Sequence, residues 1–135
     1  MMPSFSAISE SRLATCHPNL QLVFNELITR FDHSILCGHR GMAAQNAAYH
    51  AVPQLSKVMW PAGKHNQTPS LAVDAAPYPV VWLDTRRMAY FAGMVVELGH
   101  AMNIPIRWGG DWDRDTDLAD QKFNDLVHFE LVEGF

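Results

Sequence analysis

Val127-His128-Phe129-Glu130-Leu131-Val132 alternates apolar and polar residues, and Leu71-Ala72-Val73-Asp74-Ala75 is a short apolar run with one carboxylate inside it. Alternation with a period of two marks a half-buried strand. With Val127, Phe129 and Leu131 in a core, His128 and Glu130 point together into a cleft or solvent. An Asp within a run as apolar as 71–75 is costly unless its charge is compensated. Both stretches therefore put ionisable groups on an otherwise apolar sheet.

Outward from these strands, the spacing predicts a helix from Pro18, with Leu20, Val23, Phe24, Leu27, Ile28 and Phe31 on one buried face after a loose opening. Ser34 to Cys37 reads as a short buried strand, ended by Gly38-His39-Arg40-Gly41, with Cys37 a buried thiol. Met42 to Ala51 reads as a second helix stopped at Pro53, and residues 56–70 as a long irregular segment. Asp84 or Thr85 caps a third helix, with Met88, Phe91, Val95, Leu98 and Met102 along its apolar face. Asn103 and Pro105 end that helix. Ile106-Arg107-Trp108 is a brief strand, and an acidic loop from Gly109 to about Asn124 leads into the final strand. This order predicts an α+β fold: a small, mainly antiparallel sheet with about three packed helices, in a single compact domain over residues 1–135.

Composition narrows the function classes. A chain of 135 residues, 48% hydrophobic and with four Trp, can bury one core. The formal charge is −4 and no basic run occurs, so no nucleic-acid partner is expected. No window approaches the roughly 18 apolar residues of a membrane helix, so no membrane insertion is expected. Cys16 and Cys37 make no disulfide framework, and the opening residues lack a basic, apolar leader. These features predict a monomer made and kept in a reducing cytosol.

His65 in the irregular segment, Asp74 and His128 are candidate metal ligands. Two imidazoles and a carboxylate leave the fourth position of tetrahedral zinc for water, whose pKa falls to about 7 in such sites. Spacing alone leaves this open: with seven His in the chain, such a trio also arises by chance, and Asp74 has an arginine as an alternative partner.

At these residues the chain resembles a known family. Lys64-His65-Asn66-Gln67-Thr68-Pro69-Ser70-Leu71-Ala72-Val73-Asp74-Ala75-Ala76-Pro77-Tyr78-Pro79 is similar to the first metal motif of the D-alanyl-D-alanine carboxypeptidase-like zinc metallopeptidases. The similarity is strongest to phage endolysins of the L-alanyl-D-glutamate peptidase type. Arg107-Trp108-Gly109-Gly110-Asp111-Trp112 and Asp125-Leu126-Val127-His128-Phe129-Glu130-Leu131 resemble that group's later motifs. Gly63 departs from the family's frequent Ser, and His65 and Asp74 lie nine positions apart, more than the family's shortest spacing.

The resemblance implies that His65, Asp74 and His128 bind zinc and that Asp125 is the acid/base carboxylate. Residues three apart on a straight strand face opposite ways, so Asp125 must sit on a bend before the strand. Arg40 matches an arginine that holds a substrate carboxylate or steadies an oxyanion. Glu130, on the same side as His128, is expected to orient its imidazole. His39, His50 and His100 have no motif behind them. The implied function is a zinc-dependent peptidoglycan peptidase cleaving the stem peptide between L-Ala and D-Glu in phage-type host lysis. The enzyme would accumulate in the host cytoplasm and reach the wall after another factor permeabilises the membrane. Its alternatives are a D-Ala-D-Ala carboxypeptidase or dipeptidase of the same fold, or a non-catalytic zinc-binding module.

Asp111, Asp113, Asp115, Asp117 and Asp120 crowd five carboxylates into ten residues. Oxygen ligands at alternate positions suit Ca2+, and some lysins that this chain resembles use calcium at a comparable loop. Thr116 stands where an EF-hand has Gly, and Lys122 where it has the closing Glu. A solvated acidic loop is the alternative.

Overall fold

A computed structural model of the chain describes residues 2–132; residues 1 and 133–135 of the expected domain lie outside them. Four strands form one antiparallel sheet in the order β1-β2-β4-β3: β1 is His33–Cys37, β2 Ala72–Pro77, β3 Ile106–Trp108 and β4 His128–Leu131. The four helices are α1 (Ala7–Leu13), α2 (Pro18–Leu27), α3 (Met42–His50) and α4 (Thr85–Ala101), and a single 3-10 turn spans Lys64–Asn66. The architecture is α+β with an antiparallel sheet, as the sequence predicts, and it carries four helices where about three are expected.

The two central strands, β2 and β4, carry the decisive residues. Their register sets Val73 opposite Phe129 and Asp74 opposite His128. Because side chains alternate across a strand, the first pair faces one side of the sheet and the second pair the other. Val73 and Phe129 are fully buried, with Phe129 edge-on to Phe24 of α2 and Phe91 of α4. Leu20, Val23, Leu27, Val95, Ile35, Ile106 and Leu131 complete this core. The opposite face is left for the polar residues.

Helix ends follow their capping chemistry. Asp84 accepts a hydrogen bond from the Arg87 N–H at 3.1 Å and starts α4. Asn103, with φ of 59°, takes the left-handed conformation that ends it. Gly99 lets the chain double back, since a Cβ there would meet the Ile104 carbonyl at 2.6 Å. The final strand begins at His128 rather than Val127, because the His128 N–H bonds the Asp125 carbonyl at 3.1 Å and closes a turn. Asp125 thus lies on a bend ahead of the strand, as an acid/base at that position requires.

Two expectations need correction. The opening is not loose: Ser6 caps α1 by accepting from the Ser9 N–H, and the Ser9 hydroxyl accepts from the Ile35 N–H at 3.0 Å. That helix has seven residues and buries only Ser9 and Leu13, too few apolar positions to register as a periodic face. The thiol of Cys37 is half-buried rather than buried. A shift in register between Ile35 and Cys37 sets it opposite Asp74 on the polar side.

Phe129 has no exposed surface and touches both covering helices, so Phe129→Ala is expected to cost about 3–5 kcal/mol of folding stability. Urea denaturation followed by circular dichroism measures it.

Candidate metal centre

Cross-strand pairing alone brings Asp74 and His128 together. His65 joins them from the 3-10 turn, which is tied to the loop after β1 by a hydrogen bond from the Arg40 N–H to the His65 carbonyl at 2.8 Å. His65 Nε2 lies 3.0 Å and His128 Nδ1 3.5 Å from the same oxygen, Asp74 Oδ1. All three side chains are about nine-tenths buried.

Each imidazole has its other nitrogen committed. His65 Nδ1 lies 2.7 Å from the Gly38 carbonyl, to which it donates. His128 Nε2 lies 2.8 Å from Glu130 Oε1, to which it donates in turn. These partners fix the rings so that His65 Nε2 and His128 Nδ1 face Asp74 and, once deprotonated, offer their lone pairs there. Two nitrogens and one carboxylate oxygen, converging from separate elements, fit a divalent cation.

Electrostatics point the same way. Burial would push the His65 imidazole down, but the Asp74 carboxylate outweighs it and raises its pKa to about 10. Burial would raise Asp74, yet the facing imidazoliums hold it well below the usual carboxylate range. The His128 imidazole is raised as well, against its burial, by hydrogen bonds to Asp74 and Glu130. Protons on these imidazoles neutralise the carboxylate in the way a cation would. Arg40 adds a further positive charge, its Nη2 lying 3.2 Å from Asp74 Oδ2 while Nη1 donates to Gln45 Oε1 at 3.2 Å. Both readings of Asp74, arginine partner and histidine cluster, hold at once.

Asp125 Oδ2 sits 3.9 Å from His128 Nδ1. Burial first, and then the charge of Asp74, lift its pKa to about 6. Gly109 makes this placement sterically feasible: it exchanges backbone hydrogen bonds with Asp125 and His128, and a Cβ there would meet the Asp125 carbonyl at 2.1 Å. Glu130 also receives Lys64 Nζ at 3.0 Å and Arg107 Nη1 at 3.2 Å. Burial opposes ionisation of Glu130, but His128 and Lys64 together lower its pKa to about 2. His65 and His128 form part of the lining of a cleft of about 510 Å³, together with Arg40, Asp125, Trp112 and Phe123, and Asp74 lines an adjoining cavity that Arg40 and Asp125 share.

Several contributors escape a reading of the sequence. Gln45, in an Ala-rich helix, is 1% exposed and ties Arg40, Asn66, Ser56 and the Val58 carbonyl together. Lys64 and Arg107 hold Glu130, and the Trp112 ring packs 5.3 Å from that of His128. Gly63 is explained by Asn66 Oδ1, which accepts the Gly63 N–H and would lie 2.7 Å from a Cβ there. His39, His50 and His100 are exposed and outside the centre. Of the acidic loop, Asp111, Asp113 and Asp115 group their oxygens closely, whereas Asp117 and Asp120 stand outside that group.

Fold and site together present a buried His-Asp-His group that could hold a metal ion on a small antiparallel sheet. The chain belongs to the phage L-alanyl-D-glutamate peptidase family, whose model matches residues 1–132. It is 29% identical over 138 residues to the L-alanyl-D-glutamate peptidase of Escherichia phage T5, covering 95% of this chain and 97% of that one. It also matches the crystal structure of the Serratia marcescens L-Ala D-Glu endopeptidase ChiX. There the TM-score is 0.74 at 26% identity, over 96% of this chain and 90% of that chain. The chain is accordingly a peptidoglycan peptidase.

Metal binding at pH 7–8 must displace the proton of His65, whose pKa is raised to about 10. Calorimetric titration in buffers of different ionisation enthalpy is expected to show proton release of about one or more per ion. In the metal-free protein, the stabilisation from His65 is complete below its ordinary value of 6.5 and lost as pH rises through about 10. Its thermal midpoint should therefore fall across that window.

Proposed function

We propose that the chain is a zinc-dependent endopeptidase that cuts the L-alanyl–D-glutamyl amide of peptidoglycan stem peptides in phage-type host lysis. The observation that carries this reading is the convergence of His65 Nε2 and His128 Nδ1 on Asp74 Oδ1, at the wall of a cleft that the two imidazoles and Asp125 line. Two imidazoles with one carboxylate suit zinc better than magnesium or calcium, which prefer oxygen shells. When bound, zinc supplies Lewis acidity and lowers the pKa of water to about 7.

The chain's own residues do the rest. Asp125 accepts a proton from the attacking water and delivers it to the leaving amine. Arg40 holds Asp74 Oδ2, and its remaining N–H donors steady the carbonyl oxygen as charge develops there. Glu130 keeps His128 in the tautomer that presents Nδ1, and Trp112 shields that ring from water. Residues 1–135 form one catalytic domain, which acts as a monomer. It accumulates in the host cytoplasm and meets the wall once another factor opens the membrane.

Asp125→Asn is expected to lower kcat by about 10²–10⁴. Activity of the wild type should rise with pH as Asp125 ionises, with the acid limb at or below about 6, since a nearby cation favours the carboxylate. Zinc content measured with mass spectrometry of digested muropeptides tests the whole reading, for wild type and His128→Ala. The endopeptidase releases whole stem peptides, and a D-Ala-D-Ala carboxypeptidase only terminal D-Ala. Zinc bound without any cleavage would instead mark a binding module.

A second cation at the acidic loop is also proposed. Ligand oxygens of Asp111, Asp113 and Asp115 lie within 4.8 Å of one another, and Asp111 Oδ1 is buried without a hydrogen-bond partner. Thr116 adopts φ of 68° at the position where a calcium loop has Gly, so the turn forms despite its side chain. Sharing a proton with Asp115 raises the pKa of Asp120 to about 6, a sign of crowded negative charge. Asp113→Asn with Asp115→Asn should abolish any calcium-induced rise in thermal midpoint; an unchanged response removes calcium from the account.

A further inference from the structure

Glutamate carries two carboxyl groups, and a peptide chain that continues beyond it uses only one. An L-alanyl-D-glutamyl substrate therefore presents a free carboxylate within a few bonds of the amide to be cut. Four cationic side chains line the cleft: Arg40, Lys57, Lys64 and Lys122. Two of them are already neutralised, Arg40 by Asp74 at 3.2 Å and Lys64 by Glu130 at 3.0 Å.

Lys57 and Lys122 differ. Neither forms an ion pair among the described residues. Lys57 Nζ lies 5.1 Å from the centroid of the Phe123 ring, and a ring face stabilises an ammonium without supplying a counter-ion. Phe123 follows Lys122 in sequence, so this contact brings the two lysines to one neighbourhood of the lining. From there the stack runs inward: Phe123 lies on Trp112 at 6.4 Å, and Trp112 on His128 at 5.3 Å. Of the carboxylates in the lining, Asp125 is the acid/base, and Asp120, which accepts from Gln121 Nε2, makes no ion pair with either lysine among the described residues.

We propose that Lys57 and Lys122 hold the free carboxylate of the D-glutamyl residue beside the scissile amide, and so make the enzyme prefer acidic over amidated stem peptides. This rests on the endopeptidase reading above. Both lysines are exposed, so each contact is screened and their joint effect modest, about five- to tenfold.

The test uses two synthetic stem peptides that differ only in whether that carboxyl group is free or a carboxamide. Zinc-loaded wild type is expected to favour the acid by about five- to tenfold in kcat/KM, mainly through KM, with the preference shrinking at high salt. The variant Lys57→Met with Lys122→Gln should bring the ratio close to one. Calorimetry on the metal-free protein gives a second readout, with the acidic D-glutamyl product peptide expected to bind wild type several-fold more tightly than the variant. An unaltered ratio in the variant, or no acid preference in wild type, overturns this inference and leaves the peptidase reading intact. Failure of wild type to cleave either peptide overturns that reading, and this inference with it.

Discussion

The organising constraint is a buried carboxylate. Asp74 sits in a central strand of the sheet, every residue of which is buried, and an ionised group there must be compensated or the fold pays several kcal/mol. His65, His128 and Arg40 supply that compensation from three different parts of the chain. Each is then held in turn: His65 by the Gly38 carbonyl, His128 by Glu130, and Arg40 by Gln45. The polar face of the sheet is thus a nested set of charge pairs whose innermost member is one oxygen atom. Removing any outer partner loosens the geometry at that oxygen before it touches the core on the other face.

The two faces share a single register. Setting Val73 opposite Phe129 for packing places Asp74 opposite His128 for chemistry, because side chains alternate strictly along paired strands. A slip of one residue would exchange the faces, burying the imidazole among phenyl rings and exposing Phe129 to the cleft. Hydrophobic burial therefore enforces the ligand geometry, and the site needs little stability of its own to stay assembled.

Much of this was legible in the sequence. The alternation at 127–132 and the lone Asp in 71–75 located the central strands and two of the clustered side chains. The long helix was visible from its period and from Asp84 at its start. The bend carrying Asp125 followed from the parity of a three-residue offset once the family resemblance had set Asp125 and His128 to one site. The first helix was not visible, since its buried positions are Ser9 and Leu13 rather than an apolar stripe. Nor were Gln45, Lys64 and Arg107 legible as supports, because their partners are set by three-dimensional closure between segments far apart in the chain. The half-buried Cys37 was misplaced because a shifted register in β1 cannot be read from an apolar triplet.

The hydrogen bond from the Asp125 N–H to the Gly109 carbonyl, at 2.8 Å, pinches the base of the loop between them. Both feet of this excursion are anchored to the catalytic floor, and what lies between is a compact surface lobe in the manner of an Ω-loop. Lengthening such a lobe costs little, since closure entropy grows only with the logarithm of loop size. Residues 113–119 can therefore diverge, acquire ligands or lose them, while Trp112, residues 120–123 and Asp125 keep their places in the cleft lining. The outer part of the lobe is open to evolutionary tinkering, whereas its two ends belong to the cleft.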